Sequence, residues 1–363
     1  MADKPVRVLL VVGETAGGIG RHVALLAEHL GRYGVAAAVC GPGSALAAVG
    51  DPPGVGKALL DTARGRPDVV LSSRRRLCKL ARGFEVVHAH GLRAGAVAAA
   101  RPAHMPLVVT WHNAPLVGGL TGRLHSLLER YVARSASLTL GASADLTAAA
   151  VRAGARTAST TFVVAPPLAP ATRSRADVRA ELGAGSQPVV LAVGRLQAQK
   201  RFDVLVAAAG RWVGGEADPI VVIAGDGPDD AQLRAEIDRT TAPVRLLGAR
   251  ADVADLLRAA DVVALPSVWE ARSLVAQEAM RAGVPLVTTP VGALPELVGD
   301  GGLFVPVGDA QALGDALDRV LAEPDLAARL GSQGKARSAG WPTVERAVEE
   351  LAATYRDLIG RRR

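Results

Sequence analysis

Short runs of β-branched residues alternate along the chain with longer segments whose apolar residues recur at helical spacing. This alternation is typical of βαβ units and predicts parallel sheets. In the first half, the predicted strands are residues 6–12, 35–40, 85–90, 107–112, 137–140 and 161–164. The first helix is predicted over residues 21–30, because its apolar positions fall on one face and glycines follow it.

A second set of alternating elements begins at Pro188. Its predicted strands are residues 189–193, 220–224, 244–247, 261–265 and 284–288, with helices near Phe202, Asp229, Asp252, Ser273 and Ala310. The proline-rich stretch 165–175 loses the apolar periodicity and indicates a linker or hinge. A last helix is predicted over residues 343–359.

The pattern therefore predicts an α/β protein with two Rossmann-like, doubly wound parallel-sheet domains that face each other across a cleft. We place the domains at residues 1–168 and 188–340, the linker at 169–187, and a C-terminal helix at 341–363 that packs back on the N-terminal domain. Ligands bind such sheets beyond the carboxyl ends of the strands, at the switch point of strand order.

Composition narrows the class of protein. Of the 363 residues 49% are hydrophobic and only 3% are aromatic, which argues against a disordered chain and a single-strand nucleic-acid binder. Cys40 and Cys78 lack the spacing of a zinc ribbon. The N-terminus has no signal-peptide pattern, and no apolar run of membrane-spanning length occurs. We expect a cytoplasmic protein, with peripheral contact at the inner face of the membrane as an open alternative.

The positive charge is concentrated in the first half. Residues 1–170 carry 19 Lys and Arg against 9 Asp and Glu, and the remainder has a net charge of −3. The densest basic stretch holds Arg74, Arg75, Arg76 and Lys79, preceded by Arg64 and Arg66. Leucines between these charges allow a helix that touches anionic lipid or, equally, a solvated helix face. No aromatic residue interleaves the charges, so nucleic acid is not an expected partner.

Glycines follow the first predicted strand, from Gly13 to Gly17, Gly18 and Gly20, before Arg21. Such a turn brings backbone N–H groups close to a phosphate at a helix N-terminus, although a tight turn without a ligand fits as well. No acidic residue ends the second strand where a nicotinamide ribose would need one, which argues against a dehydrogenase.

The second domain offers more specific chemistry. Arg195 and Lys200 follow its first predicted strand and can converge on one diphosphate. Further along, Glu270 precedes a predicted helix, Ser273 is its expected N-cap, and Glu278 lies in its second turn. N–H groups of that first turn could bind a phosphate; a capping arrangement with a solvent-facing Glu278 is the alternative.

His88 and His90 alternate on one predicted strand and point to the same face, and His112 ends another predicted strand. Zinc is conceivable there, but no cysteine or carboxylate completes a ligand set. The chain also contains no Asp-x-Asp pair for a metal-bridged diphosphate. We therefore expect neither a metal site nor a cofactor.

Taken together, these segments resemble glycosyltransferase family 4, retaining enzymes of GT-B architecture that use nucleotide-sugar donors. The similarity spans nearly the whole chain and is carried by residues 17–21, 87–90, 110–113, 194–200, 224–228, 247–248 and 265–306. It implies a hexosyltransferase that moves a sugar from a UDP- or GDP-linked donor to a hydroxyl acceptor, which could be anionic or lipid-linked.

The resemblance also implies roles for single residues. It assigns the donor diphosphate to Arg195 and Lys200, the transferred sugar to Glu270 and, from the N-terminal domain, to His112, and the nucleoside ribose to Glu278. The remaining expected donor contacts are Gly18, Gly225, Gly248, Ser273, Leu274 and Val275, and those on the acceptor or membrane side are Arg21, Arg74, Arg75, Arg76 and Lys79. In the same-face mechanism attributed to this family the leaving phosphate takes the acceptor proton, so we assign no general base.

Three departures from the family pattern keep two alternatives open. Glu270-Ala271-Arg272-Ser273 stands where E-G-F-G is common, Arg201 follows Lys200 in place of glycine, and residues 165–168 replace P-N-G-V. The alternatives are a sugar-nucleotide epimerase of similar architecture and a non-catalytic subunit that binds or regulates.

Overall fold

A computed structural model describes residues 4–14, 18–62, 67–114, 119–215 and 218–361. The chain divides into two compact units. Residues 1–166 and 342–363 form the N-terminal domain, and residues 167–341 form the C-terminal domain. Both are α/β domains built on a parallel sheet, as the alternating pattern predicts.

The N-terminal sheet has seven strands in the order β3-β2-β1-β4-β5-β6-β7. The strands are β1 Val6–Val12, β2 Val35–Gly41, β3 Gly56–Leu59, β4 Val86–His90, β5 Leu107–Trp111, β6 Leu138–Gly141 and β7 Ala158–Thr160. The helices are α1 Gly18–His29, α2 Gly43–Val49, α3 Pro67–Ala81, α4 Leu92–Ala98, α5 Gly119–Ser135 and α6 Ala144–Arg152. Strand order reverses between β1 and β4, so the loops that follow these two strands meet at the switch point.

The C-terminal sheet has six strands in the order β10-β9-β8-β11-β12-β13. They are β8 Val189–Val193, β9 Ile220–Ala224, β10 Val244–Gly248, β11 Val262–Leu265, β12 Leu286–Thr288 and β13 Gly302–Phe304. The helices are α7 Arg175–Glu181, α8 Phe202–Ala209, α9 Asp230–Thr240, α10 Val253–Ala259, α11 Leu274–Ala282, α12 Leu294–Val298, α13 Ala310–Ala322 and α14 Pro324–Ala339. Here the switch point lies between β8 and β11, which pair through Val190 and Val262.

The last helix, α15 (Val344–Gly360), packs against the N-terminal domain. Its residues Val344, Val348, Ala352 and Tyr355 are buried in the same hydrophobic core as β1 and α1. Burial of these side chains removes apolar surface from water, which holds the helix to the domain.

The stretch 169–187, expected to be a linker, contains helix α7 instead. The side chain of Ser174 caps this helix by accepting a hydrogen bond from the Asp177 N–H. The preceding turn is fixed by buried Asp255 of α10, whose carboxylate accepts hydrogen bonds from the backbone N–H groups of Thr172 and Arg173. These bonds join the segment to the C-terminal domain, so it is not a free linker.

Within the described ranges, no helix combines the length and apolar character that a bilayer crossing needs.

Candidate functional site

The loops that follow β8 and β11 are bound to each other at the switch point of the C-terminal sheet. The Val268 N–H donates to the Gln199 carbonyl at 2.9 Å, and the Gln199 side chain donates to the Trp269 carbonyl at 2.8 Å. The loop from Arg195 to Lys200 and the loop from Ser267 to Ser273 therefore form one continuous surface at the carboxyl edge of the sheet.

Lys200 and Glu270 meet on this surface. Their Nζ and Oε1 atoms are 2.5 Å apart, and the two side chains are 14% and 7% exposed. The Ser267 hydroxyl donates to the same carboxylate oxygen at 2.7 Å. Because the pair is largely shielded from water, its two charges are held together and fixed in direction. Ser267 was not predicted from the sequence; a serine just after β11 carries no motif by itself.

Arg195 differs from Lys200 in its surroundings. Its side chain is exposed and makes no hydrogen bond or ion pair with any residue that the structure describes. It lies in the same loop as Lys200, after β8. A guanidinium that is not neutralised by a neighbouring carboxylate keeps its full donor set for an external anion.

Helix α11 begins beside Glu270. Ser273 is its N-cap, as predicted, with the hydroxyl accepting from the Ala276 N–H at 3.4 Å. The N–H groups of Leu274 and Val275 occupy the first turn, where a helix has no internal acceptors. The positive end of the α11 dipole lies at this first turn and favours an anion there.

Glu278 is buried, with 1% of its surface exposed. The sequence left open a solvent-facing carboxylate, and the structure excludes that alternative. Arg272 is also buried, and its guanidinium pairs with Glu296 of α12 at 2.6 Å. The charge of Arg272, a residue that departs from the E-G-F-G pattern, is thus already matched by a carboxylate, a partner that sequence spacing did not indicate.

Glycines permit the close approach of backbone on which this site depends. A Cβ atom at Gly225 would lie 1.8 Å from the Gly194 carbonyl oxygen, and one at Gly292 would lie 1.8 Å from that of Glu270. Gly225 also donates its N–H to the Gly248 carbonyl at 2.7 Å. Gly225, which follows β9, therefore lies beside Gly248, the last residue of β10, and beside Gly194, which precedes Arg195.

Arg201 occupies a position where the family pattern often has glycine, and its backbone explains that preference. Its φ is +50°, in the left-handed region, and its Nε donates to Asp203 at 3.0 and 3.1 Å. A residue with a Cβ is strained there.

We expect Arg201→Gly to raise the free energy of unfolding by about 1 kcal/mol, because relief of this strain exceeds the value of one exposed ion pair. Urea unfolding of the native protein and the variant measures the difference. Arg201→Ala, which keeps the Cβ but loses the same ion pair, is the matched control and should not be stabilised. A clearly destabilised glycine variant would contradict the explanation.

In the N-terminal domain the predicted histidines belong to a larger buried cluster. His88 and His90 lie on β4, His112 follows β5, and His22 of α1 joins them. Nδ1 of His90 and Nε2 of His112 are 3.1 Å apart. His22 was not singled out in the sequence, since one histidine on an amphipathic helix has no pattern of its own.

Burial lowers the pKa of every histidine in this cluster. It lowers the pKa of His22 to about 4 and, with the nearby His22, that of His88 to about 3. The pKa values of His90 and His112 are also well below the ordinary value, through burial first and the neighbouring histidines second. All four rings are therefore neutral near pH 7 and act as hydrogen-bonding groups. Among the residues that the structure describes, no group of three or more His, Cys, Asp or Glu side chains could hold a metal ion.

The remaining predicted residues of the N-terminal domain lie on helices α1 and α3. Gly18 begins α1, while Gly17 lies outside the described residues. Arg21 is exposed on α1, and Arg75, Arg76 and Lys79 are exposed on α3. Arg74 donates to the Tyr131 hydroxyl at 2.9 Å and lies over its ring.

The leucines of α3 only partly fit an interfacial helix. Leu77 is fully buried and so is not available to a membrane, whereas Leu71 is 51% exposed. On α5, which Arg74 contacts through Tyr131, Leu124 and Leu127 are about 60% exposed. Arg64 and Arg66 lie outside the described residues.

Comparison with known proteins agrees with this architecture. Residues 17–167 match the model of a glycosyl transferase 4-like domain, and residues 187–323 match that of glycosyl transferases group 1. D-inositol 3-phosphate glycosyltransferase of Saccharomonospora viridis is 37% identical over 207 residues, or 51% of this chain and 47% of that protein. Alpha-D-kanosaminyltransferase of Streptomyces kanamyceticus is 30% identical over 192 residues, or 51% and 49%. The chain thus spans about half the length of the curated relatives it matches.

Among solved structures, Anabaena HepE in complex with UDP and glucose aligns with a TM-score of 0.83. That alignment covers 96% of this chain and 99% of HepE at 21% identity, so it is evidence of a shared fold. The two domain models between them match most of the sequence. The chain therefore belongs to glycosyltransferase family 4, and its two parallel-sheet domains have the GT-B fold.

Proposed function

We propose that the protein is a retaining glycosyltransferase that moves a hexose-type sugar from a UDP- or GDP-linked donor to a hydroxyl acceptor. The observation that carries this proposal is the surface after β8 and β11. There an unneutralised guanidinium, a lysine-glutamate pair and the first turn of α11 share one edge of the sheet. HepE, whose solved complex contains UDP and glucose, has the same fold.

The chemistry of sugar transfer needs these groups. Breaking the bond between the sugar and its diphosphate builds negative charge on the leaving phosphate and positive charge at the anomeric carbon. We propose that Arg195, Lys200 and the N–H groups of Leu274 and Val275 stabilise the leaving diphosphate, as fixed dipoles and cations do in a preorganised site. Glu270 would contact hydroxyls of the sugar. Lys200 orients this carboxylate through their ion pair.

We also propose roles for residues that do not contact the leaving diphosphate. We assign the nucleoside ribose to Glu278, the sugar also to His112, and further donor contacts to Gly18, Gly225, Gly248 and Ser273. A neutral His112 can exchange a hydrogen bond with a sugar hydroxyl but does not supply a cationic acid. No general base is assigned, because the leaving phosphate can accept the acceptor proton itself.

For the acceptor side, we propose the basic residues Arg21 of α1 and, on α3, Arg74, Arg75, Arg76 and Lys79. Exposed Leu124 and Leu127 lie on α5, the helix that Arg74 contacts. Cationic and apolar groups side by side suit an anionic or lipid-linked acceptor, and would also support peripheral contact with an anionic membrane.

The decisive test incubates the protein with UDP- and GDP-linked hexoses and an acceptor pool from cell extract, and follows nucleoside diphosphate release by mass spectrometry. We expect release that depends on the acceptor, a product with the anomeric configuration of the donor, and the same rate after addition of EDTA. Conversion of the donor without acceptor would favour an epimerase, and binding without conversion would favour a non-catalytic subunit. A folded protein that neither binds nor converts any such donor would contradict the proposal.

A further inference from the structure

The histidine cluster contains more imidazoles than the proposed reaction uses. Only His112 has a role in that reaction, yet His22, His88 and His90 are also buried in the cluster, each less than 10% exposed. Burial of an imidazole ring costs free energy, because its nitrogens lose hydrogen bonds with water. The contacts within the cluster indicate what the additional rings do.

His90 is the direct partner of His112. Its Nδ1 lies 3.1 Å from Nε2 of His112, and the two rings are nearly parallel, with centroids 5.4 Å apart. His88 lies 4.3 Å from the His90 ring. His88 is itself held at both nitrogens, by the Thr110 hydroxyl at 2.7 Å and the Tyr355 hydroxyl at 2.6 Å. The ring of His90 is thus packed against a fixed neighbour.

The unpartnered atoms of the cluster indicate which nitrogen carries each proton. Among the described residues, Nε2 of His90 is enclosed and has no hydrogen-bond partner. A buried N–H without an acceptor is rarer in proteins than an unused lone pair. His90 therefore carries its proton on Nδ1 and donates it to Nε2 of His112. A neutral His112 then has its own proton on Nδ1.

Nδ1 of His112 is also the ring atom left for a ligand. It makes no hydrogen bond with a residue in the described part of the chain, and it is not one of the enclosed, unpartnered atoms of the cluster. His112 as a whole is 6% exposed, and Nδ1 is the one of its two ring nitrogens that no described residue engages.

We propose that His90 is a positioning residue that fixes His112 in the Nδ1–H tautomer and in the orientation that offers this N–H to a hydroxyl oxygen of the transferred sugar. The inference rests on the proposed function for the contact of His112 with sugar. The low pKa values of both rings support it, because each ring stays neutral and its tautomer is then set by its neighbour.

The tautomer itself is measurable without any donor. Long-range proton–nitrogen NMR correlations of the ¹⁵N-histidine-labelled protein distinguish Nδ1–H from Nε2–H. We expect His112 to be protonated on Nδ1 in the native protein, and to lose this preference in His90→Leu. In His90→Asn the side-chain amide can take the place of Nδ1–H and restore it. His104→Leu, the same substitution at an exposed histidine of this domain, is the matched control and should leave the His112 signals unchanged.

Kinetics test the consequence for the reaction. We expect His90→Leu to lower kcat by about 10-fold to 100-fold with little change in the KM of the donor, and His90→Asn to recover most of the loss. A native His112 protonated on Nε2, or a His90→Leu variant with unchanged kcat, would overturn the inference. If His90→Leu does not fold, the tautomer of the native protein still decides. Absence of turnover with every donor would instead count against the proposed function.

Discussion

Arg195→Ala is expected to lower kcat by about 10²-fold to 10³-fold while leaving the unfolding temperature unchanged. The rate should fall because a cation that stabilises charge on the departing diphosphate is lost. The fold should persist because the side chain is exposed and makes no hydrogen bond or ion pair with the described residues. Steady-state kinetics with a nucleotide-sugar donor, alongside thermal unfolding, measure both quantities.

The matched control for this variant is Arg329→Ala. Arg329 is exposed on α14 and also lacks a hydrogen bond or ion pair within the described chain, so the same truncation removes the same charge outside the loops of the proposed site. Its kcat should equal that of the native protein. Equal turnover in Arg195→Ala and Arg329→Ala would refute the role of Arg195.

Lys200→Ala should reduce kcat to a similar extent, but its effect on stability differs. Lys200 neutralises Glu270, whose side chain is only 7% exposed. Removal of one partner from a shielded ion pair leaves an uncompensated charge and costs about 3 kcal/mol. The double variant Lys200→Ala/Glu270→Gln should recover much of this stability without recovering turnover, which separates the structural contribution of the pair from its chemical one.

Acid is expected to destabilise the N-terminal domain strongly. The pKa of His22 is lowered to about 4 and that of His88 to about 3, so the unfolded chain binds protons more readily than the native one below the ordinary histidine pKa. The stability is therefore complete above about pH 6.5 and is lost as the pH falls toward the folded-state pKa values. At about pH 5 the loss amounts to about 2 kcal/mol for each neutral buried histidine.

His22 and His88 alone then account for about 4 kcal/mol, a large part of the 5–15 kcal/mol typical of a domain, or a fall of about 10 °C in its Tm. All seven histidines of the chain lie within its first 125 residues, so the C-terminal domain serves as an internal reference. Hydrogen exchange followed by mass spectrometry at about pH 7.5 and about pH 5, corrected for the intrinsic rates, should show loss of protection in β1 and β4 before β8 and β9.

Substitution of single histidines tests the cause. His22→Leu should remove about 2 kcal/mol of the acid-induced loss, because one proton-binding group of the unfolded chain is gone. His104→Leu changes an exposed histidine and should leave the pH dependence as it is. Equal protection of both domains at the two pH values would mean that these histidines are not held neutral by burial.

Much of the fold follows from the sequence because buried parallel strands are continuous apolar runs. The bounds of β1, β8 and β9 are those predicted, and each of these strands lies inside its sheet. The predicted strand at 161–164 is wrong, since the edge strand is β7, Ala158–Thr160. The edge strands β3 and β13 were not predicted. They have only four and three residues, and an edge strand need not be apolar on both faces.

The sequence allowed us to predict which residues form the site, but not which of them are in contact. Arg195, Lys200, Glu270 and Ser273 stand in recognisable loops, yet the contact of Lys200 with Glu270 joins residues 70 positions apart. That contact exists because strand order reverses and brings β11 beside β8, which spacing along the chain does not reveal. The partnership of Arg272 with Glu296 and the packing of His22 on His90 depend on tertiary structure in the same way.

The central claim is that the loops after β8 and β11 hold a nucleoside diphosphate by its phosphates. A crystal structure of the protein with UDP or GDP tests it most directly. We predict that the β-phosphate contacts the Arg195 guanidinium, the Lys200 ammonium and the N–H groups of Leu274 and Val275. A diphosphate bound with its phosphates away from these groups, for instance only at the N-terminus of α1, would contradict the account.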